Sequence, residues 1–144
     1  MVLGATNNPW DLDDAMVRRL EKRIYIGLPD EEARAGMFRL HIARMDCSDA
    51  VHCDVESFAA ETAGYSGADV KLVCVEAGME RMRRVLSDVE VKDLVRMKQE
   101  DSEFMTAERN CVGVEDFVKA LGNTKNTVKS EARYLEWDDK YGSR

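Results

Sequence analysis

The stretch from Val2 to Pro29 constrains this chain more than any other. A short apolar run, Val2 to Ala5, ends abruptly on the polar pair Thr6 and Asn7. A Pro9-Trp10 turn and an acidic stretch follow, then a tandem arginine, Arg18-Arg19, just before a second strand-like run, Ile24 to Leu28. The pattern reads as strand, short helix, strand. In α/β folds a polar side chain at the carboxyl end of a buried strand is where ligand-reading groups sit. A paired arginine on a short helix suits reaching a phosphate, because guanidinium is always charged and forks its donors. The plainer alternatives are an Asx turn started by Asn7 ahead of Pro9 and a solvated Arg/Glu helix surface, which Glu21, Lys22 and Arg23 suggest.

From Pro29 onward the pattern turns helical. Asp30, with Glu31 and Glu32 behind it, is an N-cap with acidic first-turn residues that suit the helix dipole. Ala33, Met37, Leu40 and Arg44 share a face, which predicts a helix of about fifteen residues. Asp54 caps a shorter helix carrying Phe58 and Ala59, ended by Gly64. Ser66-Gly-Ala-Asp69 has capping-box spacing, in which two orphan N–H groups are answered reciprocally. The helix it opens runs long, with Val70, Val73, Ala77, Met82 and Leu86 at helical spacing. A charged helix is expected around 88–99, another from Val114 to Leu121 closed by Gly122, and a last one capped by Ser130. Its aromatic stripe, Tyr134, Trp137 and Tyr141, reads as packing surface. The order is thus an α/β beginning followed by a four- to five-helix bundle.

Composition narrows the function. A net charge of −7 argues against nucleic-acid binding by this segment, and no 20-residue apolar run suggests a membrane partner. The four cysteines, at 47, 53, 74 and 111, form no Cys-x-x-Cys pair. The grouping of His41, Cys47, His52 and Cys53 lacks the two close ligand couples usual for structural zinc, so reduced thiols are expected and no metal site.

Taken together, Leu3-Gly-Ala-Thr-Asn-x-Pro-Trp-x-Leu-Asp-x-Ala and Arg-Arg-Leu-Glu-Lys-Arg-Ile-Tyr-Ile-x-Leu-Pro-Asp resemble AAA ATPases of the meiotic clade. That clade includes katanin, spastin, fidgetin and the ATPases that dismantle ESCRT filaments. Two departures stand out. Val17 occupies the place of a third arginine found in many relatives, and Gly27 the place of a common proline. The resemblance implies the end of an AAA+ large α/β domain over 1–29, a small helical (lid) domain over 30–122, and a C-terminal helix over 123–144 that packs on the ATPase core and helps assembly. It also implies ATP and Mg²⁺ as cofactors. Yet none of the nine glycines is followed by lysine, so the Gly-x-x-x-x-Gly-Lys-[Ser/Thr] loop that cradles phosphates is not in these 144 residues. Neither is an apolar strand ending in Asp-Glu. Both motifs lie upstream in the family, so the chain reads as a C-terminal portion that does not hydrolyse ATP alone.

Residue roles follow from the same resemblance. Asn7 matches the first sensor, placed to orient the attacking water. Arg18 and Arg19 match arginine fingers supplied in trans to a neighbouring protomer's nucleotide. Gly64, Tyr65, Ser66, Gly67 and Ala68 match the loop-to-helix junction beside the adenine, where two glycines permit close backbone approach and a helix N-terminus favours phosphate. A second-sensor arginine would fall near Ala68 and is absent, as is usual in this branch. Trp10 reads as a packing anchor.

The 27 residues from 87 to 113 contain no proline and one glycine, too short and too helical for the β-rich insertion of the ESCRT-type enzymes. Met82-Arg83-Arg84, Val114-Glu-Asp-Phe117 and the terminal Tyr134-Leu-Glu-Trp137 resemble katanin most. The resemblance therefore implies a hexameric, microtubule-severing ATPase of the cytoplasm and cytoskeleton, contacting tubulin through regions outside this chain, with a spastin-, fidgetin- or ESCRT-type enzyme as the alternative. A different class also fits: a non-catalytic assembly module that docks on complete protomers. The helical part from 30 to 122 is expected to fold alone and the first 29 residues to be poorly held.

Overall fold

The computed structural model describes residues 3–87, 111–127 and 131–143. The chain divides into two compact units, Leu28–Thr127 and Met1–Gly27 with Val128–Arg144.

The Leu28–Thr127 unit is a helical bundle. Helix α2 (Glu31–Ile42) starts where Asp30 Oδ1 accepts the Ala33 N–H at 2.8 Å, with Glu31 and Glu32 in the first turn. It buries Arg34, Ala35, Phe38 and Ile42, one position round from the Ala33-Met37-Leu40 face expected from sequence; Leu40 is 56% exposed. The correction has a simple cause: Phe38 and Ile42 are the bulkier apolar pair at i, i+4, and they take the core. Two short helices follow, α3 (Asp49–Cys53) and α4 (Val55–Glu61), the latter burying Val55, Phe58 and Ala59. Helix α5 (Gly67–Ser87) buries Asp69, Val70, Val73, Cys74 and Ala77. Helix α6 (Val114–Asn123) buries Asp116, Phe117 and Ala120 and runs one residue past Gly122 before Thr124 ends it. α5 packs against both α2 and α6, and α2 also against α4.

Three phenylalanines join the helices at the centre. Phe58 stacks on Phe117 with ring centroids 4.8 Å apart and planes 8° apart, while Phe38 meets Phe58 tilted at 6.0 Å. Offset aromatic pairs of this kind add to plain area burial. Two buried charges serve structure. Arg34 donates from Nε and one terminal nitrogen to the Ala59 carbonyl at 3.2 and 2.9 Å, and from the other to the Pro29 carbonyl at 2.8 Å. It thereby adds to a carbonyl in the last turn of α4 that the Thr62 N–H and hydroxyl also reach, at 3.4 and 3.2 Å. Asp116 accepts Arg84 at 2.7 and 3.2 Å and the Gly113 N–H at 2.9 Å, tying α5 to the start of α6. A parallel bridge between Cys47 and Val112 joins the α2–α3 connection to the chain entering α6.

In the other unit a 3-10 turn (Pro9–Asp11) leads to α1 (Asp14–Arg19), which Asp13 caps by accepting the Met16 N–H at 2.7 Å. Helix α7 (Glu131–Tyr141) belongs to the same unit. The two strands expected over 2–5 and 24–28 are not formed: residues 3–5 and 24–28 are irregular. A strand is held by ladder hydrogen bonds to a neighbour, and among the described residues no neighbouring strand exists to supply them. Leu3, Ile24 and Ile26 are accordingly 89%, 71% and 88% exposed. The expected helix around 88–99 and the Ser130 cap lie outside the described residues.

Candidate functional site

The sequence-predicted residues fall in the two units, Asn7, Arg18 and Arg19 in one and Gly64 to Ala68 in the other. Thr6 Oγ1 accepts the Asn8 N–H at 3.0 Å, turning the chain at Asn7 just before Pro9. The Asn7 carbonyl accepts a hydrogen bond from Tyr134 Oη at 2.8 Å. Tyr134 in turn lies 5.0 Å from Trp10 and stacks on Tyr25 at 6.3 Å, and the Arg133 guanidinium sits 3.8 Å above the Trp10 ring. Trp10 is thus the packing anchor expected, and Tyr134 is the aromatic of α7 that meets it. Trp137 and Tyr141 pair with each other at 5.4 Å, so the stripe divides between two jobs. Further along, Ser143 clamps the 21–23 backbone: Arg23 N–H donates to Ser143 Oγ at 3.1 Å, and Ser143 N–H donates to the Arg23 carbonyl at 2.9 Å.

Arg18 and Arg19 end α1. Both are exposed, and neither makes an ion pair among the described residues. The forked donors of a guanidinium match phosphate oxygens. Arg23, expected to be solvated with Glu21 and Lys22, is half-buried, and its Nε has no hydrogen-bond partner among the described residues. Nothing in its sequence surroundings signalled that.

The Gly64–Ala68 junction follows α4 and runs into the first residues of α5. Gly64 has φ +78°, the left-handed region that glycine tolerates best, and it turns the chain after α4. The capping box forms as expected. Ser66 N–H and Ser66 Oγ donate to Asp69 Oδ2 at 2.9 and 2.8 Å, and Asp69 N–H donates to Ser66 Oγ at 3.3 Å. Sequence reasoning stopped at that box and missed the partners beyond it. Thr127 Oγ1 donates to Asp69 Oδ1 at 2.8 Å, and Tyr65 Oη donates to the Thr124 carbonyl at 2.6 Å. Burial alone raises the pKa of the Asp69 carboxyl, but the hydrogen bonds from Ser66 and Thr127 outweigh it and hold the group below its ordinary value. The Tyr65 phenol is raised by burial and by the Asp69 charge. A carboxylate therefore already answers the N-terminus of α5. An acidic group in the first turn is what the field of a helix N-terminus favours.

Other candidates recede. The Cys47 and Cys74 thiols are pushed up to about 11 and about 12, each chiefly by burial, which marks them as packing residues. Among the described residues no three His, Cys, Asp or Glu side chains are grouped to hold a metal ion. A polar depression lined by Leu135, Asp138, Asp139, Gly142 and Ser143 includes none of the predicted site residues.

Comparison with known proteins fits this arrangement. Residues 53–96 match the AAA+ lid domain. Over 99% of its length the chain is 36% identical to the A1 form of the katanin p60 ATPase-containing subunit from Strongylocentrotus purpuratus and 37% identical to the A-like 1 form from Danio rerio. It covers 27% and 28% of those proteins, so it spans about a quarter of the length of the curated relatives it matches. Among solved structures, the AAA domain of FIGL-1 in complex with ADP superposes with a TM-score of 0.78 at 33% identity, covering 100% of this chain and 46% of that one. A structure describing the basis of katanin self-assembly superposes with a TM-score of 0.71 at 31% identity, covering 93% of this chain and 45% of that one. Over nearly its whole length the chain is thus similar to a part of the katanin p60 ATPase subunits, with the AAA+ lid match lying inside that part.

Proposed function

We propose that this chain is the C-terminal part of a katanin-like ATPase that assembles into a hexameric ring and uses ATP hydrolysis to sever microtubules in the cytoplasm. The observation that carries the reading is the exposed, unpaired Arg18-Arg19 at the end of α1, in the same compact unit as Asn7. Neither guanidinium has an internal acid to satisfy among the described residues, so both are available to a phosphate on another protomer. ATP bound mainly by residues outside this chain, together with Mg²⁺, supplies the phosphoryl group for transfer to water. Arg18 and Arg19 neutralise charge on that group in trans, an effect worth about a thousandfold or more in rate. Asn7 holds the attacking water from the turn that Thr6 and Tyr134 fix. Gly64 to Ala68 lie along the adenine, with Gly64 and Gly67 leaving room for the base. Microtubules engage regions outside these residues. The solved FIGL-1 AAA domain with ADP supports nucleotide use by this fold, and the katanin self-assembly structure supports self-association.

The test has two arms. The 144-residue chain alone is expected to show no ATP hydrolysis. A longer product that adds a phosphate loop upstream is expected to hydrolyse ATP, and Arg18→Ala or Arg19→Ala in it to lower kcat about a thousandfold with ATP binding nearly intact. An unchanged kcat in both variants refutes the finger assignment. A non-catalytic assembly module is the second reading, in keeping with the similarity to a katanin self-assembly structure. It predicts that the 144-residue chain, added to a complete katanin-like ATPase, suppresses its activity and that no longer product exists.

A further inference from the structure

Asp69 is 1% exposed, and its two carboxylate oxygens face different parts of the chain. Oδ2 takes the Ser66 N–H and Oγ on the junction side, while Oδ1 takes Thr127 Oγ1 on the side where the chain leaves the helical unit. A second tie runs parallel, from Tyr65 Oη to the Thr124 carbonyl, and Gly64 lies where a Cβ would come within 3.5 Å of Asn126 Nδ2. Two of the five junction residues, Gly64 and Tyr65, therefore lie against the segment 124–127, and Asp69 joins Ser66 to it. That segment leads on toward α7, so the junction and the exit of the unit share one buried acid.

A capping box needs only the Ser66 half of this arrangement. Burying a carboxylate is costly unless its lone pairs are answered, and here the exit segment answers the half that the box leaves open. Each side thus depends on the other: without Thr127 the acid is half-satisfied, and without the acid neither Ser66 nor Thr127 has its partner. Two segments held by one group open together, which is the physical content of coupling between them.

We propose that Asp69 is a positioning residue that locks the Gly64–Ala68 junction to residues 124–127, so that occupancy of the junction by a nucleotide base steadies the chain leaving for α7. The coupling to a base rests on the reading of Gly64–Ala68 as the adenine side; the lock itself does not.

The test is amide exchange by NMR on the full 144-residue chain without nucleotide, and on the longer product that adds an upstream phosphate loop with and without millimolar ADP. Asp69→Asn is the direct variant but risks unfolding the bundle, so Thr127→Val decides: it keeps the β-branched shape and removes only the hydroxyl. Without nucleotide, Thr127→Val is expected to speed exchange about tenfold at Ser66 and Asp69 as well as at Thr124. Val73 and Phe117 in the core stay at wild-type rates, and Thr127→Ser restores all three. Unchanged exchange at Ser66 and Asp69 in Thr127→Val overturns the lock. With ADP, the wild type is expected to slow at both 64–69 and 124–127, and Thr127→Val at 64–69 alone. Slowing at 64–69 without slowing at 124–127 in the wild type overturns the coupling. ADP that slows neither segment refutes the adenine reading and the coupling with it, while the comparison without nucleotide still decides the lock.

Discussion

Replacing Asp116 by alanine is expected to cost the helical unit about 3 kcal/mol. The carboxylate is fully buried and accepts two hydrogen bonds from Arg84, at 2.7 and 3.2 Å, and one from the Gly113 N–H at 2.9 Å. Hydrogen bonds to charged groups contribute about 1.5–3 kcal/mol each, and a buried donor left without a partner costs about 1–3 kcal/mol. Those figures do not add, because the two Arg84 bonds share one charge. Breaking a buried ion pair by removing one partner typically costs about 3–5 kcal/mol. Arg84 recovers part of the loss: its side chain is 25% exposed, it donates to the Cys111 carbonyl at 3.2 Å, and Glu115 lies 3.8 Å away. The lower end of the range follows.

A unit of about a hundred residues is stable by only about 5–15 kcal/mol, so this is a large fraction, and the midpoint of thermal unfolding should fall by about 12–24 °C. Urea unfolding followed by circular dichroism measures the loss directly. Arg84→Met combined with Asp116→Ala should cost clearly less than the sum of the two single variants, because the first change has already removed the interaction the second would break. A loss below about 1 kcal/mol for Asp116→Ala, or simple additivity in the double variant, refutes the claim that this pair ties α5 to α6.

Three further outcomes are expected. Gly64→Ala should destabilise by about 1–2 kcal/mol because an L-residue is strained at φ +78°, whereas Gly36→Ala, in mid-helix with open space at its Cβ, should stabilise by up to about 1 kcal/mol; urea midpoints moving the same way for both would contradict this. Asp69, whose folded pKa is depressed, contributes stability that is complete above its unfolded pKa of about 3.9 and fades as pH falls through the lower folded value. The stability gap between wild type and Asp69→Asn should therefore be full at neutral pH and close in strong acid, and a gap that widens with acid would reverse the sign assigned here. Exposed Cys53 should react with a thiol reagent at pH 8 well before Cys47 and Cys74, which mass spectrometry of the partly modified protein reads out; early labelling of Cys74, 2% exposed, would mean the bundle opens readily.

What could be read from sequence was the local and the short-range. Asp30 and the Ser66–Asp69 box announce helix starts because each cap is made by residues three apart, whereas Asp54, also read as a cap, makes no side-chain cap bond to α4. The long helix and the Val114 helix follow from periodicity, and the Arg18-Arg19 pair and the junction glycines are legible as residue types in order. What failed depended on partners distant in sequence. The α2 face was set one position off because Phe38 answers Phe58 rather than its own helix neighbours. The two apolar runs read as strands, but a strand exists only with a neighbour to bond. Thr127 gave no signal that its hydroxyl, 58 residues on, completes the shell of Asp69, and Tyr134 gave none that its phenol reaches the Asn7 carbonyl, 127 residues back.

Helix α5 shows why periodicity has a ceiling. Val70, Val73 and Ala77 were placed on a face that continued through Met82 and Leu86, and the first three are buried while Met82 and Leu86 are 63% and 49% exposed. A helix of 21 residues is about 31 Å long at 1.5 Å per residue, longer than its partner α6 by eleven residues. The partner covers only part of it. Beyond Ala77 the apolar positions Met79, Met82 and Leu86 continue in helical register with Leu72 and Val75, all of them about half exposed. Arg84, not an apolar side chain, makes the last described tie to α6. Hydrophobic spacing gives the direction in which a helix can pack; how far along its length the packing extends is set by the elements that meet it, and those are written elsewhere in the chain.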